Sequence, residues 1–258
     1  MITVPEPLQP FVAGAAWSRI TVGESLSDIF RLDRSGQAAL YLKIAPRVRR
    51  MELLQEKQRL DWLQGRLPVP AVVGYETDDR KEYLLLTALP GRHVADLSAA
   101  EPNEKIVQLL AAGLRAIHAI PIHDCPFDMT LDREIERARY NVVNGLVDEA
   151  DFAGTRLDRS AAELFEKLQS KKPADEDLVF THGDYCLPNV MVDRGEVSGF
   201  VDWGRGGVAD RYKDIALVLR SLKRNTGEDL ARAFFEAYGL SSYDADKLAY
   251  YKLLDEFW

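Results

Sequence analysis

Cysteine is nearly absent from the 258 residues: Cys125 and Cys186 are too few for a disulfide framework, and four histidines add too little to make a zinc cluster. Neither disulfides nor a structural metal is therefore expected. No run of about 18 apolar residues occurs, which excludes a hydrophobic membrane-spanning helix. The opening MITVPEPLQPF has neither a cationic n-region nor an apolar h-region, so a cytoplasmic location and no membrane partner are expected. Positive charge is also in deficit, with 33 Lys and Arg against 41 Asp and Glu, and a nucleic-acid-binding surface is not expected from a chain of net charge −8. With 17 Gly and 12 Pro, no internal repeat and no low-complexity tract, collagen, extended disorder and coiled coil are ruled out.

What is present is an ordinary globular composition, 47% hydrophobic and 29% charged, in a chain long enough for one large domain or two modest ones. The charge is unevenly spread. Residues 1–70 carry ten basic against seven acidic residues, whereas residues 71–258 carry 23 against 34. That split suits an N-terminal part that meets anions and a C-terminal part that meets cations.

The first stretch reads mainly as strands: residues 19–32 and 39–44 joined through the turn signal Asp33-Arg34-Ser35-Gly36, then Val69–Tyr75 and Tyr83–Thr87. One helix interrupts them over Met51–Gln64, where Leu53, Leu60 and Leu63 recur at helical spacing. Glu56 falls on that inward stripe. A buried carboxylate needs a partner, and Lys43, polar in the middle of the apolar strand ALYLKI, is the candidate. Either residue alone could be a side chain snorkelling at an element end; as a pair across adjacent elements they point to a site. After Leu89-Pro90-Gly91 the pattern turns mainly helical, over Glu104–Ile120, Leu131–Val147, Ser160–Leu168, Asp214–Leu222, Glu228–Tyr238 and Asp244–Phe257. Short strands are expected at Leu178–Thr181, Asn189–Val192 and Val197–Val201. The division between lobes is placed at 88/89, giving residues 1–88 and 89–258.

The chemistry concentrates in Thr181–Asn189 and Val201–Arg205. Asp184, then Asn189 five residues on, then Asp202-Trp203-Gly204 thirteen after that, reproduce the spacing of a kinase catalytic loop and its metal-binding turn. Phosphoryl transfer needs one carboxylate to orient a hydroxyl and accept its proton, and an amide oxygen and a second carboxylate to hold magnesium against phosphates. A loop and an adjacent hairpin can bring all three to one point.

The strings HGDYCLPN and GFVDWGRGGVADRYKDIA, with LYLKIAP, EKQRLDWLQGRLPVP, CPFD, NGLVDEADF, DLVFTHGD and the terminal LLDEFW in order, strongly resemble the aminoglycoside 3′-phosphotransferases, antibiotic-resistance kinases. The resemblance runs through nearly the whole chain. It implies a two-lobed, protein-kinase-like α+β fold, with a small mainly-β N-terminal lobe that binds nucleotide and a larger mainly helical lobe for catalysis and the drug. It implies transfer of the γ-phosphoryl group of ATP, with GTP as the alternative donor, to the 3′-hydroxyl of drugs such as kanamycin and neomycin, with Mg2+ as cofactor. By the same resemblance Asp184 is the catalytic base, Asn189 and Asp202 are the metal ligands, and Lys43, steadied by Glu56, meets the α- and β-phosphates. Tyr41 lies near the adenine ring, Thr87–Leu89 form the hinge whose backbone meets the base edge, and Ser25 and Ser27 lie in the loop over the phosphates. That loop departs from the glycine-rich kinase signature, having Gly23 only.

His182 has two readings, a catalytic imidazole or a structural side chain bonded to backbone near the metal turn; the second is favoured because this chemistry needs positioning more than another base. Arg205 could meet a phosphate or pair with a carboxylate such as Asp210. Cys186 is read as packing, and His118 and His123 as structural. A polycationic drug calls for carboxylates, and the family places the chain terminus at the drug, so Asp255, Glu256 and the Trp258 carboxylate are expected ligands, with Asp148, Glu149, Asp151 and Asp158 from the loop. Three negative charges at a helix C-terminus oppose the macrodipole, so a cation should offset them. Phe152–Arg156 has fewer acidic residues than such loops usually carry, which implies weaker binding or a narrower drug range. A monomer or weak dimer is expected. The alternatives are a kinase for another hydroxylated substrate, a macrolide or an amino alcohol, and a non-catalytic nucleotide-binding pseudokinase.

Overall fold

Alternating apolar side chains in DIFRLD and LYLKIAP set the register of the first sheet, because partners across an antiparallel ladder share a face. In the computed structural model, which describes residues 2–20, 27–47, 52–147, 149 and 160–258, strands β1 (Ala16–Ile20), β2 (Asp28–Asp33), β3 (Leu40–Pro46), β4 (Val72–Thr77) and β5 (Lys81–Thr87) form an antiparallel sheet in the order β1-β2-β3-β5-β4. Phe30 pairs with Leu42, and Leu42 with Leu85. That face closes over Val4 and Leu8 from the N-terminal segment, which holds helix α1 (Gln9–Val12). The opposite face carries Ile29, Lys43 and Leu84 in register and receives helix α2 (Glu52–Leu63) through buried Leu53, Leu60 and Leu63.

One expectation is corrected here. Residues 19–32 are not one strand: Arg19 and Ile20 end β1, and β2 pairs back on them, Ile20 opposite Ile29.

A second, three-stranded sheet has the order β6-β8-β9, from β6 (Arg92–His93), β8 (Val190–Asp193) and β9 (Glu196–Phe200), with helix α3 (Val94–Leu97) following β6. Arg194 and Gly195 close the β8–β9 hairpin with φ of 52° and 87°, the sign pattern of a two-residue type I′ turn. Gly91, at φ 93°, is needed because a Cβ there would press on the Val192 carbonyl.

The helical part comprises α4 (Asn103–His118), α5 (Leu131–Val143), α6 (Ala161–Ser170), α7 (Tyr212–Thr226), α8 (Ala231–Tyr238) and α9 (Ala245–Asp255), with the strand pair β7 (Leu178–Thr181) and β10 (Gly207–Asp210). The expected stripe Ile106, Val107, Leu110, Leu114 and Ile117 is buried. Ser160 and Glu163 form a reciprocal capping box at the start of α6, and Gly227 ends α7 in the left-handed conformation. Strand β10 escaped the sequence reading: four residues beginning on glycine carry little β signal, and β7, which they pair with, lies far off in the chain.

By packing, the chain divides into Met1–Ala100 with Pro188–Arg205, and Glu101–Leu187 with Gly206–Trp258. The pairing of β6 with β8 ties residues beyond Pro90-Gly91 to the first unit. Among the described residues no helix is long and apolar enough to cross a membrane.

Candidate active site

In the first unit, strand alternation places Lys43 on the face toward α2, 8% exposed, with its Nζ 2.7 and 2.8 Å from the two oxygens of Glu56 and 3.0 Å from Oδ1 of Asp202. The expected Lys43–Glu56 pair is thus formed, and Asp202 completes it. Glu56, 2% exposed, also accepts the backbone N–H of Trp203. Burial alone would push the Lys43 ammonium down, but Asp202 and Glu56 together hold it above the ordinary lysine value. Burial pushes the Glu56 carboxyl up against the pull of Lys43.

Asp202 has φ 65°, a left-handed conformation that Asp tolerates better than most residues. Trp203 is wholly buried and donates from Nε1 to the Phe200 carbonyl at 3.1 Å, so it anchors the turn in the core. Asn189 ends a 3-10 turn, Leu187–Asn189, and its carbonyl accepts the Val201 amide at 3.0 Å. The β8–β9 pairing therefore sets Asn189 beside Val201, one residue from Asp202. An amide and a carboxylate at one hairpin end offer hard oxygen donors of the kind that would hold magnesium.

The residues expected to form the hinge, Thr87–Leu89, have well-defined backbone roles. The Thr87 amide donates to the Ala71 carbonyl at 3.0 Å, its hydroxyl accepts the Ala71 amide at 2.9 Å, and the Ala88 amide donates to Ala39 at 3.2 Å. Pro90 has no N–H, and the Leu89 amide makes no hydrogen bond among the described residues. Within Thr87–Leu89 the backbone donor left for a base edge is Leu89. Tyr41 lies opposite Leu86 on the Lys43 face, its hydroxyl accepting from Arg31 at 3.3 Å. The Asp33 carboxylate, bonded to Arg31 at 2.9 Å, holds that guanidinium well above its ordinary range. Ser27 precedes β2, whereas Ser25 lies outside the described residues.

In the second unit the loop bearing Asp184 is pinned by its own backbone. Asp214 of α7, wholly buried, accepts the His182 amide at 2.7 Å and the Gly183 amide at 2.8 Å, and its carboxylate lies 3.2 Å from His118 Nε2. Burial would raise the Asp214 carboxyl, yet His118, His182 and the amides hold it below the ordinary carboxylate range. The other ring nitrogen of His118 lies 2.7 Å from the Tyr238 hydroxyl, the structural role expected of it. His182 accepts the Asp184 amide at 3.3 Å on Nδ1, the bond to backbone that its structural reading calls for. Tyr185 donates to the Leu110 carbonyl at 2.8 Å, and Ser221 accepts the Leu187 amide at 3.1 Å. The sequence reading missed Asp214 and Ser221; the available signal was a polar residue on the buried side of the α7 stripe.

On the expected drug side, Asp255 and Glu256 are 8% and 6% exposed in their side chains, and the guanidinium of Arg220 from α7, itself 45% exposed, contacts the Asp255 carboxylate and lies 3.8 Å from Glu256. The cation that offsets the terminal charge is thus supplied by the chain. Asn141 fixes the tail by donating to the Phe257 carbonyl at 2.8 Å, and Arg137 stacks over the Trp258 ring at 5.5 Å. Glu149 accepts the Ala161 amide at 2.7 Å, capping the start of α6. Asp148, Asp151 and Asp158 lie outside the described residues.

Residues 16–251 match the model of the phosphotransferase enzyme family. The chain is 39% identical over 254 residues to an aminoglycoside 3′-phosphotransferase of Niallia circulans, covering 98% of this chain and 97% of that one. It belongs to the aminoglycoside 3′-phosphotransferase family. Among solved structures, an aminoglycoside 3′-phosphotransferase of type VIII superposes with a TM-score of 0.86 at 37% identity, over 98% of this chain and 97% of that one. The Streptomyces rimosus phosphotransferase APH(3″)-Id, in complex with ADP and streptomycin, superposes with a TM-score of 0.79 at 26% identity, over 97% of this chain and 95% of that one. The fold class is accordingly the two-lobed, kinase-like α+β fold of this aminoglycoside 3′-phosphotransferase family, with a mainly-β sheet lobe and a helical lobe.

Proposed function

We propose that the protein transfers the γ-phosphoryl group of ATP to the 3′-hydroxyl of aminoglycosides such as kanamycin and neomycin, with drug resistance as the consequence. The observation that carries this reading is the buried Lys43 held within 3.0 Å of Glu56 and Asp202, the cation that a nucleotide phosphate requires. In this reading residues 1–88 serve the nucleotide and residues 89–258 serve catalysis and the drug. Lys43 meets the α- and β-phosphates; Glu56 keeps its ammonium aimed and charged. The Leu89 amide donates to the base edge, Tyr41 flanks the ring, and Ser25 and Ser27 lie over the phosphates.

Asp184 orients the attacking hydroxyl and takes its proton as the new P–O bond forms, while ADP leaves. The Asp214 grip on the preceding amides fixes where that carboxylate stands. Asn189 and Asp202 fit Mg2+, which when bound neutralises charge on the transferring phosphoryl group. Asp255, Glu256, the Trp258 carboxylate and Asp148, Glu149, Asp151 and Asp158 are the ammonium ligands, and a drug ammonium exchanges with Arg220 at the first two. GTP is the alternative donor, and a cytoplasmic monomer or weak dimer is the expected form.

Asp184→Ala tests the assignment. Turnover should fall by about a thousandfold or more while ATP affinity and the thermal midpoint hold. A folded variant that keeps most of its rate removes Asp184 from the mechanism.

A further inference from the structure

Glu82 is a fully buried carboxylate in the first unit that pairs with no cation among the described residues. It lies on β5 opposite Ala45 of β3, two pairs along from Leu84 opposite Lys43, so Glu82 and Lys43 share the sheet face that receives α2. Its Oε2 accepts two bonds, from the Leu54 amide at 3.1 Å and the Tyr75 hydroxyl at 2.9 Å, while Oε1 has no hydrogen-bond partner among the described residues. Burying a charge so sparsely satisfied is costly, and an apolar side chain on this strand would avoid it.

The position of Leu54 supplies the reason for it. Its amide lies in the first turn of α2, where backbone donors lack intrahelical acceptors and an anion is favoured. Two residues later comes Glu56, whose carboxylate reaches back to Lys43. Sheet and helix are thus tied by two bonds running in opposite senses: a strand carboxylate to a helix amide, and a helix carboxylate to a strand ammonium. Either tie alone leaves the helix free to slide or turn on the sheet; the two together fix its height and rotation.

We infer that Glu82, oriented by Tyr75, is a positioning residue of the nucleotide site: it holds the first turn of α2 on β5 so that Glu56 stays on Lys43, and in doing so it sets the affinity for the nucleoside triphosphate. The inference rests on Lys43 being the phosphate ligand. Glu82 touches no reacting atom, so its removal should appear in the nucleotide constants and leave those of the drug alone.

The test is steady-state kinetics with MgATP and kanamycin on Glu82→Leu, Glu82→Gln, Tyr75→Phe and Lys43→Met, with thermal midpoints alongside. Glu82→Leu should raise KM for ATP about tenfold with KM for kanamycin unchanged, and Glu82→Gln, whose amide oxygen can accept both donors, should stay within about threefold of wild type. An unchanged KM for ATP in a Glu82→Leu protein that merely melts earlier overturns the inference. Should that variant fail to fold, Tyr75→Phe decides: a rise of about twofold to fivefold in KM for ATP alone supports it, and no rise overturns it. Lys43→Met separates the two ideas, because an unchanged KM for ATP there defeats the phosphate reading of Lys43 itself, whereas a large rise there with none in the Glu82 and Tyr75 variants defeats only the role of Glu82.

Discussion

Lys43 and Glu56 show how a buried ion pair constrains its own chain. Each is buried, and each is tolerable in the interior because the other is there. Lys43→Met should therefore lose nucleotide affinity and also destabilise the fold by about 3 kcal/mol, because Glu56 is left as a buried carboxylate without its ammonium. The double variant Lys43→Met/Glu56→Gln should recover most of that stability and none of the activity, as thermal melts and ADP release would record. Equal melting of single and double variants would contradict this. The pair was legible in the sequence because a lysine inside ALYLKI and a glutamate on an apolar helical stripe each break a pattern. Asp202 as third partner was not, since only the fold brings it to Lys43. Arg220 was hidden for the same reason: a helix end with surplus negative charge says that a cation is required but not which one.

At the scale of elements, the loop carrying Asp184 is shaped less by its own residues than by what α4 and α7 present to it. Tyr185 and Leu187 are held at Leu110 and Ser221, and the His182 and Gly183 amides converge on Asp214. Asp214→Asn should cost about 3 kcal/mol of stability at neutral pH and lower kcat through the displaced loop. Its pH dependence follows from a folded carboxyl held below its unfolded value: the contribution is fully present above the unfolded pKa of about 3.9 and is lost as pH falls through the lower folded one. The gap between wild-type and Asp214→Asn melting curves should stay constant from about pH 7 to pH 5 and close only below about pH 4. A gap that closed between pH 7 and pH 5 would mean that Asp214 is held high instead. The helices of this part were readable from periodicity, and the strand pair β7–β10 only in half, because pairing between segments far apart leaves no local signal. The catalytic spacing was legible because chemistry demands it; the buried groups that hold the loop were not, being set by packing.

Across the whole molecule, the uneven charge matches the proposed partners. The N-terminal part, with its slight basic surplus, holds the lysine proposed for phosphate, and the acidic remainder holds Asp255 and Glu256, proposed for ammonium groups. The central claim is the acceptor. It is tested most directly by ADP release with ATP and magnesium in the presence of kanamycin, and of the same drug lacking its 3′-hydroxyl. Turnover with the first and none with the second is the predicted result. Equal turnover on both, or silence with kanamycin from folded protein that binds ATP, would contradict it.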